Sequence, residues 1–307
     1  MMIKSLIIGG VAFVFLAWVM SACTSNKKNV GERGDKPRVI VSIPPQLFFV
    51  KNIAGDRVEV SSLLGGNTDA ETFEPSVGQY RKLEDSDVYL SFDILPFERT
   101  VARQLRNNKR GVKVVDVSEG IDFLYDTHEH NHEHEGSAEH HVGAREADPH
   151  IWSSVVNAKI IALNTLNALV AADTVNEDVY RANYARLINR LDSADQSFRR
   201  IFAEPSAVKQ FVVWHPSLSY FARDYGLQQI SLADGGKESS VKGYASQLEK
   251  ARDMGGAVYF YQKEFDSDRA RSVSAQAGVR FVEINPLNEE WEDEIQKLYD
   301  AFTTDKP

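Results

Sequence analysis

"VYRANYARLINRLDSADQSFRRIF" (Val179–Phe202) is the stretch on which the fold turns. It reads as one helix of about twenty-four residues, ~36 Å long at 1.5 Å rise, and Pro205 stops it. A shorter helical stretch precedes it, "SVVNAKIIALNTLNALVAA" (154–172), with apolar residues at three-and-four spacing. The polar "DTVNED" (173–178) separates the two. Outward on the N-terminal side, strand-like and helix-like runs alternate: "RVIVSI", "QLFFVKNIAG", "RVEVSSLL", "SVGQYRKLEDS", "DVYLSF", "LPFERTVARQLRNN" and "VKVVDV". Beyond Pro205 the alternation resumes through "KQFVVWH", "SLSYFARDYG", "LQQISL", "AVYFYQ" and "VRFVEI", and closes on "EEWEDEIQKLYDAF". The pattern predicts an α/β protein of two lobes, each a mostly parallel sheet flanked by helices, joined by one long rigid helix. The expected bounds are 38–174 for the N-terminal lobe, 175–204 for the linking helix and 205–307 for the C-terminal lobe.

The start of the chain has a different character. Lys4 precedes an uncharged run from Ser5 to Ala22, and then comes Cys23. A short positive start, an apolar middle and small residues before a cut are the layout of a secretory signal. Met20-Ser21-Ala22-Cys23 resembles a bacterial lipobox, so residues 1–22 are expected to be the signal and Cys23 the lipidated anchor to the membrane. The polar stretch 23–37 then serves as a flexible tether. Cys23 is the only cysteine, so the exported domain contains no disulfide. The formal net charge of −9 gives no support for nucleic acid as a partner.

In open α/β sheets ligands gather beyond the carboxyl ends of strands. Four segments hold such positions: "GGNTDAETFEPS" with Glu71 and Glu74, "DPHIW" with His150, "FVVWHPSLSYF" with His215, and "VRFVEINPLNEEW" with Asn285. Two histidines and a carboxylate, drawn from both halves, can converge on one cation, and nitrogen with carboxylate oxygen suits zinc, manganese or iron. Each residue also has a plainer reading. His150 can cap the helix that follows, His215 can sit in a turn before Pro216, and Glu74 suits a helix start near the positive end of its dipole.

The motifs narrow these alternatives. "DPHIW" followed by "NAK", "HPSLSYFARDYGL", "VIVSIPPQ", "AGDRVEV" and "DAETFEPS" stand in the order found in the metal-binding substrate-binding lipoproteins of zinc and manganese ABC importers. The chain resembles that family from about Arg38 to Phe302. The resemblance implies a non-enzymatic extracytoplasmic receptor that captures Zn2+, or alternatively Mn2+ or Fe2+, between its lobes. It implies an ABC permease and its ATPase as partners, with the receptor itself a monomer. Glu71, His150, His215 and Asn285 are the ligand positions it points to. Two of them depart from the family pattern: Glu71 stands where histidine is common, and Asn285 where aspartate is common. Glu283 and Glu264 are nearby acids that can complete the shell.

Six of the eight histidines, His128, His130, His132, His134, His140 and His141, crowd the long segment 118–148. "HEHNH" formally matches the H-E-x-x-H pattern of zinc peptidases, which requires a helix docked on a core. Here the surroundings are acidic and polar and lack an apolar stripe, so the stretch reads as an accessory chelating loop. The family often carries such a loop at this place. A metal-buffering or adhesin lipoprotein without a transporter is the remaining alternative.

Overall fold

Short runs rich in Val, Ile, Tyr and Phe become the inner strands of two parallel sheets. In the computed structural model, residues 36–65, 68–107, 111–125, 147–231, 258–262 and 280–304 are described, with the single positions 246, 249 and 253. The segment that carries His128, His130, His132, His134, His140 and His141 lies outside them, as do Cys23 and Glu264. The first sheet joins β1 (Arg38–Val41), β2 (Glu59–Ser62), β3 (Val88–Ser91) and β4 (Lys113–Asp116) in the order β2-β1-β3-β4. The second joins β5 (Gln210–Val213), β6 (Gln228–Ser231), β7 (Val258–Gln262) and β8 (Arg280–Ile284) in the order β6-β5-β7-β8. Every pairing is parallel. β3 ("VYLS") and β7 ("VYFYQ") are buried along their whole length, as strands covered on both faces must be. β2 ("EVSS"), at an edge, alternates between exposed and half-buried. The two sheets share one strand order, so each has its switch point between its first and third strands, where α/β folds bind ligands.

Among the described residues the helices with defined bounds are α1 (Pro45–Ala54), α2 (Val77–Asp85), α3 (Pro96–Asn107), α4 (Val155–Ala172), α5 (Glu177–Ala203), α6 (Ser219–Tyr225) and α7 (Trp291–Thr303). Their ends follow local chemistry. Gly55, at φ 54°, stops α1 in a conformation that disfavours side chains. α2 opens on a capping box in which Ser76 accepts from Gln79 and Gln79 reaches back to Ser76. Ser76 therefore fills the helix-start role expected of Glu74, which lies exposed two residues earlier. The carboxylate of Glu98, fully buried, collects the backbone N–H groups of Phe92 (2.8 Å), Ile94 (3.0 Å) and Leu95 (2.9 Å) and so closes the turn from β3 into α3.

α5 is the long helix expected from the sequence, about 40 Å over its 27 residues. The polar break before it is a 3-10 turn, Thr174–Asn176, gathered by Asp173, whose carboxylate accepts from Asn176 Nδ2 and Tyr180 Oη, both at 2.7 Å. Tyr180, Leu187, Leu191, Phe198 and Phe202 line its buried face. Its first half lies against α1, where Asn183 Nδ2 donates to the Ile53 carbonyl at 2.8 Å. Its second half enters an aromatic cluster, with Phe198 5.1 Å from Phe221 and Phe202 4.9 Å from Phe302. The helix thus packs on both lobes along its length.

Two tryptophans rivet the lobes directly. Trp152 Nε1 donates to the Pro286 carbonyl at 2.8 Å, and Trp291 Nε1 donates to the Trp152 carbonyl at 2.7 Å. Trp152 also stacks on Phe92 at 6.0 Å, while Trp291 packs against Phe48 at 5.2 Å and Phe49 at 5.6 Å. The Lys51–Glu289 ion pair lies half in solvent and contributes little by comparison.

Candidate metal centre

Glu71 stands on the loop after β2, in a turn shaped by Asp69. One oxygen of that carboxylate accepts from the Glu71 backbone and the other from the Thr72 hydroxyl, both at 2.9 Å. Gln79 Nε2 grips the Leu63 carbonyl at 2.6 Å and Phe73 meets Phe97 edge-on at 5.0 Å, which seats the loop on the sheet. His150 arrives from the far end of the first sheet. Asp148 Oδ1 accepts from both the His150 backbone N–H and its ring Nδ1, each at 2.9 Å, and a 3-10 turn (Ile151–Ser153) then leads to the Ser154 cap of α4. His215 stands two residues beyond the end of β5, and the Ser217 N–H returns to its carbonyl at 2.7 Å.

These three side chains meet. His150 Nε2 and His215 Nε2 are 3.2 Å apart, and Glu71 Oε1 lies 3.2 Å from His215 Nε2 and 3.6 Å from His150 Nε2. Glu71, His150 and His215 form a group whose donor atoms all lie within 4.8 Å of one another. Bonds of 2.0–2.1 Å to zinc at tetrahedral angles separate two ligand nitrogens by about 3.3 Å, so one ion fits between the rings. An octahedral ion with slightly longer bonds has a similar edge, so the spacing does not distinguish the metals; the nitrogen-rich donor set suits zinc. With Nδ1–H of the neutral ring donating to the Asp148 carboxylate, His150 presents its Nε2 lone pair toward the centre. This carboxylate–histidine arrangement is the usual outer shell of a ligating histidine.

The electrostatics agree with cation capture. The hydrogen bond from His215 holds the Glu71 carboxyl below its ordinary value against the opposing effect of burial, and the nearby His150 helps. Burial would raise Asp148, but its bonds to His150 outweigh it and the carboxyl ends lower than usual. Burial would likewise depress His150. Asp148, then Glu71 and Asp69, overcome that and raise it above 6.5. The site thus gathers acidic groups around His150. Exposure is uneven: the Glu71 side chain is 40% exposed, His215 20% and His150 10%.

The other expected positions fare differently. Asn285 follows β8 as anticipated, but its Oδ1 accepts from the Leu287 N–H at 2.9 Å and its own N–H binds Glu294 at 2.9 Å. Glu283 is exposed on β8 and takes a hydrogen bond from the Tyr261 hydroxyl. Asp148 is the functional neighbour that residue-by-residue reading passed over. Its signal was present in "DPHIW", where an aspartate two residues ahead of a histidine can close an Asx turn on it.

The family described as zinc-uptake complex component A, periplasmic, matches residues 39–304. The chain belongs to that family. Among its relatives in the family, the zinc-binding protein AdcA of Streptococcus pyogenes serotype M3 is 27% identical over 311 residues, covering 98% of this chain and 59% of its own length. The chain thus spans about three fifths of that relative. The high-affinity zinc uptake system protein ZnuA of Bacillus subtilis is 26% identical over 281 residues, covering 90% of this chain and 86% of its own. A crystal structure of ZnuA superposes with a TM-score of 0.73 at 30% identity, covering 88% of this family member and 100% of that chain.

Proposed function

We propose that this protein is the extracytoplasmic receptor of an ABC importer, which captures one zinc ion between its lobes and delivers it to the permease and its ATPase. The observation that carries the reading is the convergence of Glu71, His150 and His215 from two lobes, with Asp148 holding the back of His150. Glu71 and His150 belong to the lobe spanning 38–174 and His215 to the lobe spanning 205–307, with 175–204 between them. Water or Asn285 completes the coordination. Cys23 anchors the chain to the membrane through its lipid, and the histidines of 128–141 serve as accessory metal-gathering groups. Because α5 packs on both lobes, release proceeds by modest shifts rather than wide opening. Titration calorimetry is expected to show one tight zinc event per chain, which survives removal of the accessory histidines. Displacement of zinc by equimolar manganese would instead assign the receptor to manganese or iron.

The outer shell supports a sharper expectation. Asp148→Asn keeps the shape but removes the charge that fixes the His150 tautomer, and is expected to weaken zinc binding by about 10–100-fold. Competition against a chromophoric chelator measures it; an affinity equal to that of the unaltered protein would deny Asp148 this role.

Acid should release the ion. Zinc requires His150 with Nε2 unprotonated, and His150 is raised above 6.5 by its acidic neighbours. Protons therefore compete more strongly as pH falls through that raised value, and affinity declines from a pH above 6.5 downward. Zinc affinities measured across this range check the sign, and a flat profile between pH 8 and about 5.5 would contradict it.

A further inference from the structure

We propose that Tyr220 is a positioning residue for the metal centre, its hydroxyl setting the Asp148 backbone and, through Asp148, the aim of His150 toward His215. This inference rests on the zinc-receptor reading and adds to it a second bridge between the lobes.

Tyr220 lies on α6 of the C-terminal lobe and is fully buried. Its hydroxyl donates to the Asp148 carbonyl at 2.7 Å and accepts from the Leu124 N–H at 3.1 Å. Asp148 and Leu124 are themselves joined, the Asp148 N–H reaching the Leu124 carbonyl at 2.8 Å, and an antiparallel bridge between Tyr125 and Ala147 continues the pairing outward. One phenol from the opposite lobe therefore ties together both strands of the neck from which the histidine-rich segment departs. The ring is held from the other side, where the Arg223 guanidinium sits 5.0 Å from its centroid and donates to the Asp122 carbonyl at 2.6 Å.

The path from Tyr220 to His215 is short and braced. Gln262 Nε2 holds the Ser217 hydroxyl at 2.6 Å, and Gln229 Oε1 holds the Leu218 N–H at 2.8 Å. These bonds tie the segment between His215 and Tyr220 to β6 and β7 of the second sheet. On the other side, Asp148 Oδ1 grips His150 at two points. The strut therefore runs from the phenol through Asp148 to the His150 ring, whose Nε2 lies 3.2 Å from His215 Nε2.

Tyr220→Phe keeps the ring and its packing and removes only the hydroxyl. In the full chain it is expected to weaken zinc binding by about 10–100-fold. Tyr225→Phe is the matched control: same helix and same chemical change, its hydroxyl donating to Asp195 Oδ1 at 3.1 Å, away from the neck. It should cost stability while leaving zinc affinity unchanged. Hydrogen exchange supplies a second reading. Zinc should further slow the amides of Leu124 and Asp148 in the unaltered protein, and this added protection should vanish in Tyr220→Phe.

An affinity in Tyr220→Phe equal to that of the unaltered protein would overturn the proposal, and so would an equal loss in Tyr225→Phe. If Tyr220→Phe does not fold, exchange in the unaltered protein still decides, because amides at 124 and 148 indifferent to zinc refute the strut. An unaltered protein without tight zinc uptake overturns the receptor reading first, and this inference with it.

Discussion

With His150 and His215 both replaced by alanine, tight zinc binding is expected to disappear, with an affinity loss of roughly a thousandfold or more. Loss of an outer-shell partner alone costs about 10–100-fold, and this change removes both nitrogen donors of the cluster. Glu71 would remain as a single, partly exposed carboxylate. The effect should also appear in stability. A ligand at a thousand times its dissociation constant adds about 4 kcal/mol to the folded state, so zinc should sharply raise the melting temperature of the unaltered protein and barely move that of the double variant. The accessory histidines remain in both proteins, so weak binding without a thermal shift is compatible with the proposal. Tight zinc binding that persists in the double variant would place the site elsewhere.

Trp152→Ala should produce the largest loss of stability. Trp152 is 2% exposed, stacks on Phe92 and lies 5.3 Å from the His150 ring. Truncating a buried aromatic to alanine costs about 3–5 kcal/mol. The change also strands the Pro286 carbonyl that Trp152 Nε1 reaches across the lobe boundary. For a chain of this size that corresponds to a fall of roughly 10 °C in melting temperature. Trp152→Phe keeps a ring in place and loses chiefly the hydrogen bond, worth about 1 kcal/mol. Urea unfolding of both variants without metal separates the contributions. Equal midpoints for Trp152→Ala and the unaltered protein would show that the rivet between the lobes does not hold them.

The layered frame was legible because its signals are local. Runs such as "VIVSI" and "VYLSF" are short, apolar and rich in β-branched or aromatic residues, which reads as buried strand, and the long helix declares itself through an unbroken pattern ending at Pro205. His150 and His215 were legible for a topological reason, since both fall beyond strand carboxyl ends on opposite sides of the helix. Glu71 required the family resemblance, as exposed loop glutamates are ordinary and Glu74 stands three residues away. What remained hidden depends on distant parts of the chain meeting. The phenol of Tyr220 reaches Asp148 across 72 residues, and Trp152 reaches Pro286 across 134. No periodicity records such pairs. Asn285 is a different case: Asn-Pro is a turn opener, and its amide oxygen is engaged within the turn by Leu287.

The uneven exposure of the three donors sets Glu71 apart as the one a binding partner could reach first. Glu71, the outermost, is also the only one that brings negative charge, and it rides on a loop rather than on a strand end. On the proposed zinc-receptor reading, an ion without that leg would rest on the two imidazoles alone and stand more open to water. On the proposed receptor reading, a partner that drew this single loop aside would have no need to pull the lobes apart. Unloading on that reading would resemble lifting a latch more than opening a jaw, with His150 the most deeply held of the three donors.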